Sequence, residues 1–244
     1  MMRTTTLKLS AILAAALIAV SSAASAATLS IVGNPIAETS LPGNFGSLRT
    51  ADGTVDRNDA LFRDNNGNLV LPAGQPAAFG LSVFNSSNGA GGGLALSGKS
   101  EVTFTYLGFE AGNTNTFSSN EFGGAFFANK GAAASGFGDT ITALFDSGVT
   151  PFLLDFVFST SGGGGQSAEN AGSIASGLTL AFGPLFNNGK SVFAFLGDGA
   201  GDSDFDDMVV RIDVTAVPVP AALPLLVGGL GVLGFVARRR KRTA

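Results

Sequence analysis

In EVTFTYLGF, residues 101–109, the apolar side chains Val102, Phe104 and Tyr106 alternate with Glu101, Thr103 and Thr105. Successive side chains of an extended chain point to opposite faces, so this spacing predicts a strand with one buried face and rules out the 3.6-residue repeat of a core-facing helix. The pattern recurs in PFLLDFVFS (151–159), where Phe152, Leu154, Phe156 and Phe158 share a face, and in SVFAFLG (191–197). In MVVRIDV (208–214), Met208, Val210, Ile212 and Val214 point inward. Weaker strand patterns lie in TLSIV (28–32), AFGLSVF (78–84) and GLTLAFG (177–183). Between them run turn-rich stretches such as NSSNGAGGG (85–93) and SGGGGQ (161–166). Short strands separated by such loops predict an all-β domain, an antiparallel β-sandwich or a jelly roll. The aromatic residues are 21 Phe and one Tyr, with no Trp, which suits a packed core better than a stacking surface for ligands.

The two ends of the chain differ from this pattern. Arg3 and Lys8 precede an apolar run from Leu9 to Val20, and the small residues Ala24 and Ala26 flank Ser25. That order predicts a secretory signal peptide over residues 1–26, handled by the Sec translocon and cut by signal peptidase after Ala26. A second apolar run, Ala221 to Ala237, is followed by Arg238, Arg239, Arg240, Lys241 and Arg242. As a helix it would span roughly 26 Å at about 1.5 Å per residue, slightly short of a ~30 Å hydrocarbon core. The basic cluster is expected to stay on the cytoplasmic side and act as a stop-transfer signal, which places the domain between the ends, residues 27–216, outside.

Just before that run stand Val217, Pro218, Val219, Pro220 and Ala221. A Val-Pro-Val-Pro-Ala motif, a short Gly-rich span, an Arg cluster and the chain end resemble the VPLPA-CTERM class of PEP-CTERM sorting signals. Val219 stands where that class usually has Leu. The resemblance covers residues 217–244 and implies processing by an exosortase, an intramembrane transpeptidase of Gram-negative bacteria. It also implies an inner-membrane-anchored precursor with a periplasmic ectodomain, later delivered to the cell surface or extracellular matrix, often alongside exopolysaccharide. Two X-Pro units favour the extended backbone that a protease cleft requires. Pro224, Gly228, Gly229, Gly231 and Gly234 weaken the span as a helix, which suits a transient anchor better than a permanent one.

Composition narrows what the ectodomain can do. Residues 27–216 carry seven basic and eighteen acidic residues, a net charge of −11. Such a surface repels nucleic acid and attracts divalent cations, so a nucleic-acid partner is not expected. The chain has no Cys and no His, which removes thiolate chemistry, His-dependent triads and the usual zinc sites.

GLALSGKS (93–100) matches the phosphate-loop pattern G-x-x-x-x-G-K-S. That motif works between a strand and a helix, whereas here a strand pattern follows, so the match reads as coincidence in a Gly-rich chain. The stretch GDGAGDSDFDDMVVRIDV (197–214) holds Asp198, Asp202, Asp204, Asp206 and Asp207. Five carboxylates within ten residues repel one another unless solvent or a cation intervenes, and Ca²⁺ takes such hard oxygen ligands. The loop therefore reads either as a Ca²⁺ site or as a solvated acidic turn that aids solubility. It is not an EF-hand: Asp207 occupies the place of the turn glycine, and a strand pattern follows instead of a helix. Asp204, Phe205, Asp206, Asp207, Val209, Val210 and Ile212 resemble the end of a domain of unknown activity that recurs in PEP-CTERM proteins. LGFEAGNTNTF (107–117) resembles segments of the same exported proteins more weakly.

A second acidic stretch holds Asp52, Asp56, Asp59 and Asp64, with Arg57 and Arg63 interleaved; local ion pairs and turns account for it. The expected function is that of a non-catalytic exported surface or matrix protein, with Ca²⁺ as a candidate stabilising ion. One alternative is a carbohydrate-binding module for exopolysaccharide. Another is a glycoside hydrolase using paired carboxylates; Glu110 and Glu121 flank a loop, but nothing in their spacing selects them as such a pair.

Overall fold

A computed structural model of the chain describes residues 27–38, 80–146, 151–199, 205–217 and 229–231. The chain divides into two units, one of residues Ala27–Ala216 and one of the two ends, Met1–Ala26 with Val217–Ala244. Of the second unit the described residues are Val217 and a helical piece over 229–231. The predicted signal peptide, Pro218 to Ala221, most of the predicted span and Arg238 to Arg242 lie outside the described residues, as do residues 39–79 with the second acidic stretch. Among the described residues no helix is long and apolar enough to cross a membrane.

The unit Ala27–Ala216 is all-β, antiparallel and sandwich-like. Its described strands are β1 (Thr28–Val32), β2 (Ile36–Glu38), β3 (Leu81–Phe84), β4 (Gly93–Ser97), β5 (Ser100–Gly108), β6 (Asn115–Ser118) and β7 (Phe126–Ala128). They continue with β8 (Thr140–Phe145), β9 (Phe152–Leu153), β10 (Val157–Thr160), β11 (Gln166–Glu169), β12 (Thr179–Phe182), β13 (Ser191–Gly197) and β14 (Met208–Ala216). Seven strands form the largest sheet in the order β2-β3-β12-β13-β14-β5-β8. A four-stranded sheet has the order β11-β10-β6-β7, and a three-stranded sheet the order β1-β4-β9.

One main core cluster takes inward residues from all three sheets. Val102, Phe104 and Tyr106 of β5 and Met208, Val210, Ile212 and Val214 of β14 belong to it, as their alternation predicts. Phe117 from β6 and Phe158 from β10 face them from the four-stranded sheet, and Leu94 and Leu96 come from β4. Phe117 is the hub of the aromatic packing. Its ring centre lies 4.8 Å from Phe158, 5.3 Å from Phe156, 5.4 Å from Phe104 and 5.8 Å from Phe122. Offset and edge-on rings at these separations add attraction beyond the area they bury.

The sequence pattern is corrected in two places. The run PFLLDFVFS is not one strand: β9 ends at Leu153 in one sheet, and β10 starts at Val157 in another. Its inward set survives the break, since Leu154, Phe156 and Phe158 are core residues and Phe152 packs against them. The second correction concerns β13, which is buried on both faces. Val192, Ala194 and Leu196 enter the main core, while Phe193 and Phe195 join Leu81, Val83, Leu107, Phe205 and Val209 in a second cluster on the opposite face. A strand covered on both sides loses the apolar–polar alternation, which is why SVFAFLG is apolar almost throughout.

The phosphate-loop match resolves as strand, turn, strand. β4 covers Gly93–Ser97, a bend takes residues 98 and 99, and β5 starts at Ser100. Lys99 pairs with Asp146 at 3.0 Å on the surface. No helix follows to supply the N-terminal N–H groups that cradle a phosphate.

Candidate metal centre at one end of the sandwich

Four strands stop their apolar rungs at the same level. Leu196 of β13 pairs in register with Met208 of β14, and Phe117 of β6 pairs with Phe158 of β10. All four are core residues. Two residues further along, on the same face by alternation, come Asp198 and Asp206 from the large sheet and Asn115 and Thr160 from the four-stranded sheet. Asn115 and Thr160 are themselves register partners. Apolar rungs thus give way to a rung whose side chains all carry oxygen.

Hydrogen bonds from Thr160 and Asn115 tie this rung across the sandwich. Thr160 Oγ1 donates to Asp198 Oδ2 at 3.2 Å, and Asn113 Nδ2 donates to Asp198 Oδ1 at 3.1 Å. Asn115 Nδ2 donates to the main-chain oxygen of Asp207 at 3.1 Å. The N–H of Asp198 donates to Asp207 Oδ2, which ties the two ends of the acidic loop together. The N–H of Glu110 donates to the Asp206 carbonyl at 2.8 Å, extending the β5–β14 pairing by one step. Phe205 precedes it with φ +57°, a left-handed conformation uncommon for a bulky residue, and buries its ring in the second cluster. Asp206 and Asp207 are buried, and Asp198 is half-buried.

A second layer holds the β5–β6 connection in place. The N–H of Asn115 donates to Asn129 Oδ1 at 2.7 Å, and Asn129 Nδ2 donates to the Asn113 carbonyl at 3.0 Å. Lys130 Nζ donates to the carbonyls of Ala111 and Gly112, each at 2.7 Å, and lies over the Phe109 ring. A cation thus closes the loop that presents Asn113 to Asp198.

Of the five predicted loop ligands, Asp198, Asp206 and Asp207 are described, with Asp198 and Asp207 joined by a hydrogen bond, while Asp202 and Asp204 lie outside the described residues. No three acidic side chains converge on one metal position among the described residues. What this end offers is mixed: carboxylates on the loop, with an amide oxygen of the opposite sheet and main-chain carbonyls beside them. All are hard oxygen donors, the set that suits Ca²⁺ or Mg²⁺ rather than a transition metal. No family model, curated protein or solved structure matches the chain.

Glu110 and Glu121, the loop-flanking carboxylates, are exposed, one after β5 and the other in a short 3-10 turn at Asn120–Phe122. Sequence reasoning passed over Asn113, Asn115 and Thr160. A signal was present in NTNTF, where Asn115 stands two residues before Phe117 and therefore in phase with the core face. A polar residue in phase with a core stripe must find partners inside, and here they lie on the acidic loop.

Proposed function

We propose that this is an exported, non-catalytic protein of the cell surface or extracellular matrix, sorted and processed by an exosortase and stabilised by Ca²⁺. One coincidence carries the reading. β14 ends at Ala216, the compact unit ends at the same residue, and the sorting motif begins at Val217. At the other end that unit begins at Ala27, the residue after the predicted signal cleavage site, and β1 begins at Thr28. Cuts at the two motifs would release the all-β unit without removing a residue from any of its described strands.

The acidic charge of the ectodomain, its lack of His and Cys and the use of its buried amides to join strands and loops support a scaffold rather than an enzyme. Within the all-β class the reading is a sandwich, because one core collects inward residues from all three sheets. The anchored precursor would hold its ectodomain in the periplasm of a Gram-negative cell, with Arg238 to Arg242 inside.

Mass measurement of the mature protein from an exosortase-bearing host tests this. The expected species lacks Met1–Ala26 and the basic cluster, and it keeps its C-terminal end in an exosortase deletion strain. A mature protein retaining Arg238–Arg242 in the intact host overturns the sorting reading. Co-sedimentation of that protein with the host's exopolysaccharide would favour the carbohydrate-binding alternative. For the ion, the melting temperature in excess Ca²⁺ should exceed that in chelator, and equal values remove calcium from the proposal.

A further inference from the structure

We propose that the calcium ion sits between the two sheets, not on the acidic loop alone, with Asn115 Oδ1 as its ligand from the facing sheet. This placement rests on the calcium reading and adds to it a named ligand outside the acidic stretch. The observation that carries it is the side chain of Asn115. It is fully buried, and its Oδ1 has no hydrogen-bond partner. A buried carbonyl left without a donor destabilises the fold, and native proteins keep such a group where a water or an ion completes it.

The orientation of that amide is set by its surroundings. Nδ2 donates to the Asp207 carbonyl, and exchanging the two ends of the amide would press oxygen against oxygen. Oδ1 is therefore held as an acceptor in the polar rung, next to the loop that carries Asp198, Asp206 and Asp207. Both main-chain groups of Asn115 are bonded to Asn129, which fixes the backbone from which the amide projects. The ammonium of Lys130 is committed to two carbonyls of the β5–β6 connection. A further acceptor at Oδ1 would be repelled, whereas a divalent cation is attracted both by Oδ1 and by the negative charge of the neighbouring acidic loop.

The consequence is a cross-link. An ion held by the loop after β13 and by the first residue of β6 joins the seven-stranded sheet to the four-stranded one where the phenylalanine core ends. Asn113 and Thr160 act as positioning residues, since they hold the Asp198 carboxylate without facing the ion themselves. Such a cross-link stabilises the folded state with the logarithm of the ratio of free Ca²⁺ to its dissociation constant.

The test uses the full chain, purified in mild detergent, with CaCl₂ followed by calorimetry and by melting against EDTA. Asn115→Ala is expected to weaken Ca²⁺ binding at least tenfold. Asn115→Asp should melt lower than wild type in EDTA, because it adds a like charge beside the loop, and it should gain a larger shift from Ca²⁺. In the wild-type protein the Asn115 side-chain amide resonances should move on Ca²⁺ titration, a readout that needs no variant to fold. If wild type binds no Ca²⁺, the placement and the calcium reading both fall. Should wild type bind while both variants keep its affinity, or while the Asn115 amide stays unmoved, the placement falls and the ion belongs to the acidic loop alone.

Discussion

The side-chain amide of Asn170 pairs with the backbone of Leu94 as a neighbouring strand would. Asn170 Oδ1 accepts from the Leu94 N–H at 2.7 Å, and its Nδ2 donates to the Leu94 carbonyl at 2.9 Å. The same Nδ2 donates to the Leu154 carbonyl at 2.7 Å. One buried side chain thus continues the β9 side of β4 where the chain between β9 and β10 changes sheet, which explains how the run from Phe152 to Phe158 can break without orphaning buried backbone groups.

Asn170→Ala should therefore destabilise the protein by about 2–4 kcal/mol, since the Leu94 N–H and the Leu154 carbonyl lose this partner while the Leu94 carbonyl keeps only the Leu154 N–H. Urea unfolding measures it, and a change below about 0.5 kcal/mol would refute the pinning role. Gly93→Ala should also destabilise, because an added Cβ would lie 2.1 Å from Asn170 Oδ1 at a backbone φ of +141°.

Tyr106, the only tyrosine in the chain, is fully buried, and its hydroxyl has no hydrogen-bond partner. Burial first, and the negative charge of Asp139 second, push its phenol well above the ordinary tyrosine range. A folded-state value raised above the unfolded one gives stability that is complete below about pH 10 and is lost as pH rises further. Absorbance titration at the phenolate band reads this residue alone. Ionisation of the folded protein near the ordinary value would contradict the burial. Tyr106→Phe removes a buried hydroxyl without a partner, so it should leave stability equal or raise it by about 1 kcal/mol, and it should flatten the alkaline loss.

Phe117→Ala should cost about 3–5 kcal/mol, the usual range for removing a large ring from a packed core. Against a total stability of about 5–15 kcal/mol this is a large fraction, visible as a fall in melting temperature. Phe126→Ala, an exposed ring in the adjacent β7, should cost far less, which separates core packing from aromatic content.

Lys99→Ala should change stability by less than about 1 kcal/mol, because the Lys99–Asp146 pair is about half-exposed on both sides. ATP should leave the melting temperature unmoved, as the strand-turn-strand geometry requires. A nucleotide-dependent shift that Lys99→Ala abolished would reinstate the phosphate-loop reading.

The strands around Val102–Tyr106 and Met208–Val214 were legible in the sequence because each presents one face to the main core, which imposes a period of two. β8 and β6 carried weaker patterns. In β8, Thr140, Thr142 and Leu144 alternate with only a short inward set, and β6 begins with an asparagine on its core face. Of the candidate site, the acidic half was visible as composition, since Asp206 and Asp207 stand next to each other in the chain. Its other half was not, because Asn115 and Thr160 lie 92 and 47 residues from Asp207 in the numbering, and only sheet pairing brings them to one rung.

The sequence by itself determined the all-β class of the structure. Alternation decides which face of a strand is buried, and apolar runs beside cationic clusters are read locally, within a few residues. Tertiary structure alone decided that β9 and β10 part into different sheets, that Asn170 bridges Leu94 and Leu154 where β9 ends, and that Asn115 faces the acidic loop across the end of the core. Each of these depends on which distant strands lie side by side. Local pattern does not encode that pairing; it follows from burying many apolar faces at once while every enclosed N–H and carbonyl finds a partner.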